Sequence, residues 1–318
     1  MSSILADPSF AAYAPGFDAV AGDSPRLWRV AKVDAHEGPV YFADEDAVYF
    51  TSVPRPGSDR SPAVQIKRLA LDEPDRVSVV VDEANGANGM TADREGNLIV
   101  CEQGSRWAPA RITRLDRSTS DRETLVDDWR GLPLNSPNDV IVAGDGAIWF
   151  TDPSYGHLQG FRPAPMVGDY VYRHDPASGE TTVVADGFDK PNGIAFSPDE
   201  RILYVTDSGA NQEPGSYHVT RPHHIKAFDV TDGRMLTGER LFAVVTPGFP
   251  DGLKVDSDGR VYASSFSGVQ VFDPGGELLG EIQVPGAVNF CFGGAERDLL
   301  LITTDSAVWA AALAAKGA

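Results

Sequence analysis

Apolar residues fall in short runs that come in pairs, separated by an acidic or glycine-containing turn. From His36 the chain reads HEGPVYFADEDAVYFTS, from Ala87 ANGMTADREGNLIVCEQ and from Pro137 PNDVIVAGDGAIWFTDP. Each copy opens with a polar residue and a short apolar stretch, turns, and runs into a second, more apolar stretch that ends in small polar residues. PNGIAFSPDERILYVTDS from Pro191 and PDGLKVDSDGRVYASSF from Pro250 repeat the pattern, and VNFCFGGAERDLLLITTDS from Val288 is a looser sixth copy. Runs this short, rich in β-branched and aromatic residues and bounded by turn residues, predict strands. The openers Glu37, Asn88, Asn138, Asn192, Asp251 and Asn289 are spaced by 51, 50, 54, 59 and 38 residues, so each unit holds one hairpin and has room for two further strands.

Those strands are legible as HHIKAFDV and RLFAVV after Asp207, and as QIKRLAL and VSVVVD after Ser52. Four strands per unit, six times over, predict an all-β six-bladed propeller occupying residues 1–318 as a single domain. The sixth copy ends one strand short after AVWAAAL, whereas LWRVAKV precedes the first copy without a unit of its own. That N-terminal segment is therefore expected to complete the last blade, closing the ring and removing an exposed sheet edge. DREGN, SPDE and DSDG mark tight turns, and no long helical segment is expected.

In a propeller the first strand of each blade lines the central channel, so the six openers become neighbours. Taken singly, an Asn or Asp before Gly reads as a turn residue. Recurring at one repeat position, Glu, Asn, Asn, Asn, Asp and Asn read as a ring of oxygen donors without His or Cys. Hard cations suit such donors, which points to one divalent ion, Ca2+ first, with Mg2+, Mn2+, Fe2+ or Zn2+ as alternatives. Glu37 and Asp251 carry the strongest signal, because a charge facing a narrow channel is costly unless compensated. Asn88 and Asn289 read as channel lining. A second ring, Ser52, Glu102, Asp152, Asp207, Ser265 and Asp305, follows the openers by 14 to 16 residues, and antiparallel pairing returns it to the same mouth. Asn88, Glu102, Asp152 and Tyr155 are the expected substrate contacts, although the Thr-Asp pairs read first as turn caps and Tyr155 reads equally as a packed surface aromatic.

Composition narrows the function further. The chain has 46 acidic and 27 basic residues, a net charge of −19, which disfavours nucleic acid as a partner. Cys101 and Cys291 are its only cysteines, and both lie in apolar stretches where they are expected to pack as small hydrophobes. No basic leader or membrane-length apolar run is apparent, so a soluble cytoplasmic protein is expected. There is no G-x-S-x-G elbow, phosphate-binding loop, G-x-G-x-x-G after a strand, or H-E-x-x-H. His223 and His224 sit in an outer strand.

The E-G-P at Glu37, LNSPNDVIVAGDGAIWFTDPSYG at 134–156, KPNGIAFSPDERILYVTDS at 190–208 and PDGLKVDSDGRVYAS at 250–264 resemble the SMP-30/gluconolactonase/luciferin-regenerating-enzyme-like family, most of all its bacterial gluconolactonases. The resemblance spans nearly the whole chain. It implies a channel cation held by Glu37, Asn138, Asn192 and Asp251 and the hydrolysis of lactones, often sugar lactones, with phosphotriesters or aryl esters as the alternative substrates. Asp251 is expected to serve as general base as well as ligand. Gln103, in CEQG, departs from the expected CEHG and bears on substrate preference. The non-enzymatic alternative is a propeller with a purely structural ion. The sequence leaves the oligomeric state open.

Overall fold

The computed structural model describes residues 9–57, 61–74 and 76–318, and the leaderless reading of residues 1–8 lies outside them. Six antiparallel sheets follow one another along the chain. The first runs Val40–Phe42, Ala47–Thr51, Ile66–Ala70, Val77–Val81, and the second Ala87–Ala92, Leu98–Glu102, Arg111–Leu115, Arg122–Val126. The third and fourth begin with Val140–Val142 and Pro191–Phe196, the fifth and sixth with Leu253–Val255 and Asn289–Gly293. In every sheet the strand that follows the opener is innermost, and the inner strand of the sixth lies against that of the first, closing the ring.

Packing explains why the second strands carry such unbroken apolar runs. Ala47–Thr51, Leu98–Glu102 and Ile148–Asp152 are buried along their whole length, because each is covered on both faces by neighbouring blades. The core is accordingly divided among the blade junctions. Phe150 and Tyr172 of the third blade stack on each other at 5.1 Å and join Ile99 and Ile112 of the second, while Trp149, on the opposite face of the same strand, packs with Ile194 and Leu203 of the fourth. Outer strands such as Val77–Val81 and Arg122–Val126 face solvent and lose that continuity.

The ring closes as the chain pattern predicts. Arg26–Ala31 pairs antiparallel with Val308–Ala312, from Arg26 opposite Ala312 to Ala31 opposite Val308, and becomes the outer strand of the sixth blade. One element is unforeseen: Phe10–Ala12 adds a fifth strand to the fifth blade, pairing with Leu278–Ile282. Three residues carry too little pattern to be read as a strand; Phe10 and Phe17 are fixed there by burial against Leu279 and Ile282. The two helices among the described residues are short, Phe17–Ala21 and Tyr155–Leu158. Among the described residues no helix is long and apolar enough to cross a membrane.

Candidate functional site

The openers sit at the mouth end of the inner strands, and two local devices hold several of them there. The first is a threonine near the end of the second strand that reaches the opener region of the next blade. Thr151 Oγ1 donates to the Asn192 carbonyl at 2.8 Å, Thr206 Oγ1 to that of Asp251 at 3.2 Å, and Thr303 Oγ1 to that of His36 at 2.6 Å. The second is the glycine after the opener. A Cβ on Gly193 would stand 2.3 Å from the Asp251 carbonyl oxygen, and one on Gly89 2.4 Å from that of Asn138. Neither has a positive φ, so these glycines serve close approach between blades rather than the turn geometry expected of Asn-Gly pairs.

Five of the six openers, Glu37, Asn88, Asn138, Asn192 and Asp251, line a single cavity of about 560 Å3 together with Tyr155 and His36, whereas Asn289, expected as lining, is buried outside it. Glu37 Oε2 accepts hydrogen bonds from Asn289 Nδ2 at 2.7 Å and from the Gly38 amide at 3.1 Å. The Asp251 carboxyl is hydrogen-bonded to Asn192 and to Glu37. Burial, reinforced by the charge of Asp251, pushes Glu37 up to about 8, and burial likewise pushes Asp251 up to about 7, opposed by the Asn192 hydrogen bond. Next to Asn138, the buried Asp139 is also raised by desolvation, with Lys254 Nζ 4.0 Å away opposing the shift.

The donor chemistry fits a hard cation. Asn88 Oδ1 and Asn138 Oδ1 are buried acceptors without a partner, and two carboxyls that would repel each other when ionised face one another beside them. Glu37, Asn138, Asn192 and Asp251 are the residues that could hold it. Among the described residues no three His, Cys, Asp or Glu form a metal cluster; this set draws two of its four donors from amides.

Two expected substrate contacts lie elsewhere. Asp152 is fully buried outside the cavity, its Oδ2 and Oδ1 accepting the Asn135 and Ser136 amides at 2.8 Å each. Glu102 is held by Arg111 Nε at 2.7 Å, Thr113 Oγ1 at 2.9 Å and Asn85 Nδ2 at 2.8 Å. Asp207 repeats the arrangement with the Asp189 and Lys190 amides. Antiparallel pairing does return these carboxylates to the mouth. Their side chains, however, turn back onto the segment that enters their own blade, and they anchor the openers from behind. Asp152 and Asp207 thus cap backbone amides of the segment before an opener, and neither Glu102 nor Asp152 lines this cavity. Tyr155 and Asn88 do line it, Tyr155 Oη donating to the Ser208 carbonyl at 3.3 Å.

Periodicity passes over His36, which precedes an opener and also lines the cavity. Its Nδ1 lies 2.6 Å from Asp305 Oδ1; burial lowers its basicity, but that hydrogen bond and the charges of Glu37 and Asp305 outweigh burial and raise it. The signal was present in the H-E pair, where a titratable ring stands beside one of the two carboxyls of the ring.

Fold and site define a six-bladed propeller with an oxygen-donor centre at one end of its axis. The chain belongs to the family described as the SMP-30/Gluconolactonase/LRE-like region, whose profile matches residues 35–306. It is 29% identical over 315 residues to a gluconolactonase of Zymomonas mobilis, covering 93% of this chain and 84% of the relative. A pentonolactonase of Haloferax volcanii is 30% identical over 276 residues, covering 84% and 80%. A solved gluconolactonase of Xanthomonas campestris superposes with a TM-score of 0.80 at 37% identity, covering 96% of this chain and 95% of that one.

Proposed function

We propose that this protein opens lactone rings by hydrolysis, with one divalent cation, Ca2+ in the first place, held by Glu37, Asn138, Asn192 and Asp251. The observation that carries the reading is the convergence of two raised carboxyls and two orphaned amide oxygens on one cavity. Relatives named as gluconolactonase and pentonolactonase supply the reaction class. A cation bound there supplies the positive charge that polarises a lactone carbonyl.

The remaining work falls to the chain. Asp251 takes a proton from the attacking water as its oxygen bonds to the carbonyl carbon. The ring C–O bond then breaks, and the same proton goes to the departing alkoxide, leaving a hydroxy acid. Asn192, hydrogen-bonded to Asp251, fixes which carboxyl oxygen faces the water. The new carboxyl group ionises at neutral pH, and the His36–Asp305 pair, which lines the same cavity, is placed to pass that proton to solvent. A cytoplasmic location belongs to the same proposal.

Metal-stripped protein, assayed by proton release on a panel of aldonolactones with each divalent ion restored in turn, tests the reading. Restored turnover with one or more ions is the expected result. No turnover with any ion would leave a scaffold carrying a structural cation.

A further inference from the structure

The oxygen ring occupies only the floor of its cavity. At the packing density of a protein interior, a bare six-carbon lactone fills roughly a third of the space, whereas the cavity measures about 560 Å3. Two unlike walls rise above the floor. On the side of the fourth and fifth blades, Tyr217, Phe249 and Phe266 form an aromatic cluster, with ring centroids 5.2 Å apart for Phe249 and Phe266 and 5.3 Å apart for Tyr217 and Phe266. Tyr217 is 41% and Phe266 47% exposed.

These rings are held in place. A Cβ on Gly248, whose φ is +93°, would come within 2.5 Å of the Phe266 ring, so that the ring lies directly on the glycine. Tyr217 is carried by a loop pinned by the Ala210 amide on the Pro222 carbonyl at 2.7 Å and the His218 amide on the Ala210 carbonyl at 2.8 Å. Fixed aromatic faces left open at a cavity mouth lose little further freedom when a ligand covers them.

The second wall is made of amides. Gln103 and Gln159, from the second and third blades, and Asn211 line the same cavity, and none of their side chains takes a hydrogen bond from the described residues. Each offers both donors and an acceptor. Among the described residues no Lys or Arg lines the cavity, and its one basic group, His36, is already paired with Asp305, so a phosphorylated or carboxylated extension finds no free counter-charge among them. An alkyl chain would cover the rings but leave the amides unpaired, at a cost. A second pyranose ring meets both demands: its C–H face covers the aromatics and its hydroxyls exchange hydrogen bonds with the amides.

We propose that the substrate is a neutral aldonolactone bearing a second sugar, with the lactone ring on the floor and the glycosyl ring between Phe266–Tyr217 and Gln103–Gln159. This rests on the lactone reading above.

The test compares kcat/KM for cellobiono-1,5-lactone, glucono-1,5-lactone and δ-decalactone by pH-stat, with spontaneous hydrolysis subtracted. The cation-loaded full chain is compared with Phe266→Ala, Phe266→Leu and Gln103→Ala. The wild type is expected to favour the disaccharide lactone over gluconolactone by tenfold or more, mainly through KM, and each variant to lose most of that ratio. Phe266→Leu keeps the volume and removes the ring face, so it reads stacking even if the alanine variant folds poorly. A wild-type ratio near one, or a ratio unmoved by the variants, overturns the second-sugar site while lactone hydrolysis stands. Preference for δ-decalactone, lost in the Phe266 variants, assigns the wall to an apolar substituent and also overturns it. Hydrolysis of none of the lactones overturns the underlying reading, and the proposal with it.

Discussion

The floor and the rim of the cavity are built by opposite rules. On the floor, each side chain stands at the same position of a repeated strand, and several are tied to the next blade by a threonine hydroxyl or a glycine contact, as with Thr151 on Asn192 and Gly193 on Asp251. At the rim, Tyr217 and Phe266 come from connections that no other blade repeats, and each ring is seated by its own local packing. The floor carries charge and orphaned acceptors; the rim carries open rings and free amides. The difference separates chemistry from selection. Changes on the floor should strike turnover and cation binding, and changes at the rim the choice of substrate.

The largest effect is expected for Asp251→Asn. The amide keeps an oxygen donor but cannot accept the proton of the attacking water, so kcat should fall by about 10²- to 10⁴-fold at saturating cation. KM should change little. Stopped-assay kinetics with titrated cation decide it, since recovery to wild-type turnover at full occupancy would make Asp251 a ligand only and move the base to Glu37.

Next comes Glu37→Gln, which removes one of the two floor charges. Calorimetric titration should show cation affinity weakened by about tenfold or more, as expected when a directly opposed charge is lost. The same variant sharpens a pH prediction. Glu37 and Asp251, raised to about 8 and about 7, keep their protons in the native metal-free protein over a range where the unfolded chain has lost them. Native-state proton binding then exceeds that of the unfolded state, so metal-free stability should decline as pH rises from the ordinary carboxylate range to about 8. Thermal melts should show that decline in the wild type, a shallower one in Glu37→Gln, and its suppression by added cation.

Gly193→Ala should cost about 1–3 kcal/mol through overpacking against the Asp251 backbone. Because the contact lies under an opener, cation affinity should fall with it; denaturant melts paired with calorimetry check both. The smallest effect on catalysis is expected for Asp152→Asn. Replacing one acceptor oxygen by an NH2 leaves a buried backbone amide without its partner, at about 1–3 kcal/mol of stability, while KM stays unchanged. A selective rise in KM would return Asp152 to the substrate.

Repetition explains what the chain disclosed and what it hid. The six openers were legible because each recurs once per blade, and a propeller turns such recurrence into a ring; Glu37, Asn138, Asn192 and Asp251 were singled out among them by the family resemblance. The same spacing put Asp152 and Glu102 at the right height but could not say which way their side chains point. That was decided by free backbone amides at Asn135 and Ser136 and by the guanidinium of Arg111, partners whose positions exist only in the folded blade. Arg26–Ala31 could be assigned to the last blade because the count of strands fell one short. Phe10–Ala12 answers no such deficit and could not be foreseen. The aromatic rim, lying in connections without a counterpart, offered no period at all.

The pairing of Arg26–Ala31 with Val308–Ala312 sets a schedule for synthesis. Arg26–Ala31 has no partner until Val308–Ala312, about 280 residues later, has been added. At about 5–20 residues per second, the interval on the ribosome is roughly 15–55 s. Phe10–Ala12 waits for Leu278–Ile282 in the same way. During that time the early blades can form and stack, but the ring stays open, with an unpaired strand at one end and a growing sheet at the other. Such edges invite pairing with other chains. The cell meets this protein first as an open arc that needs shielding, and only chains made as far as Val308–Ala312 can become rings.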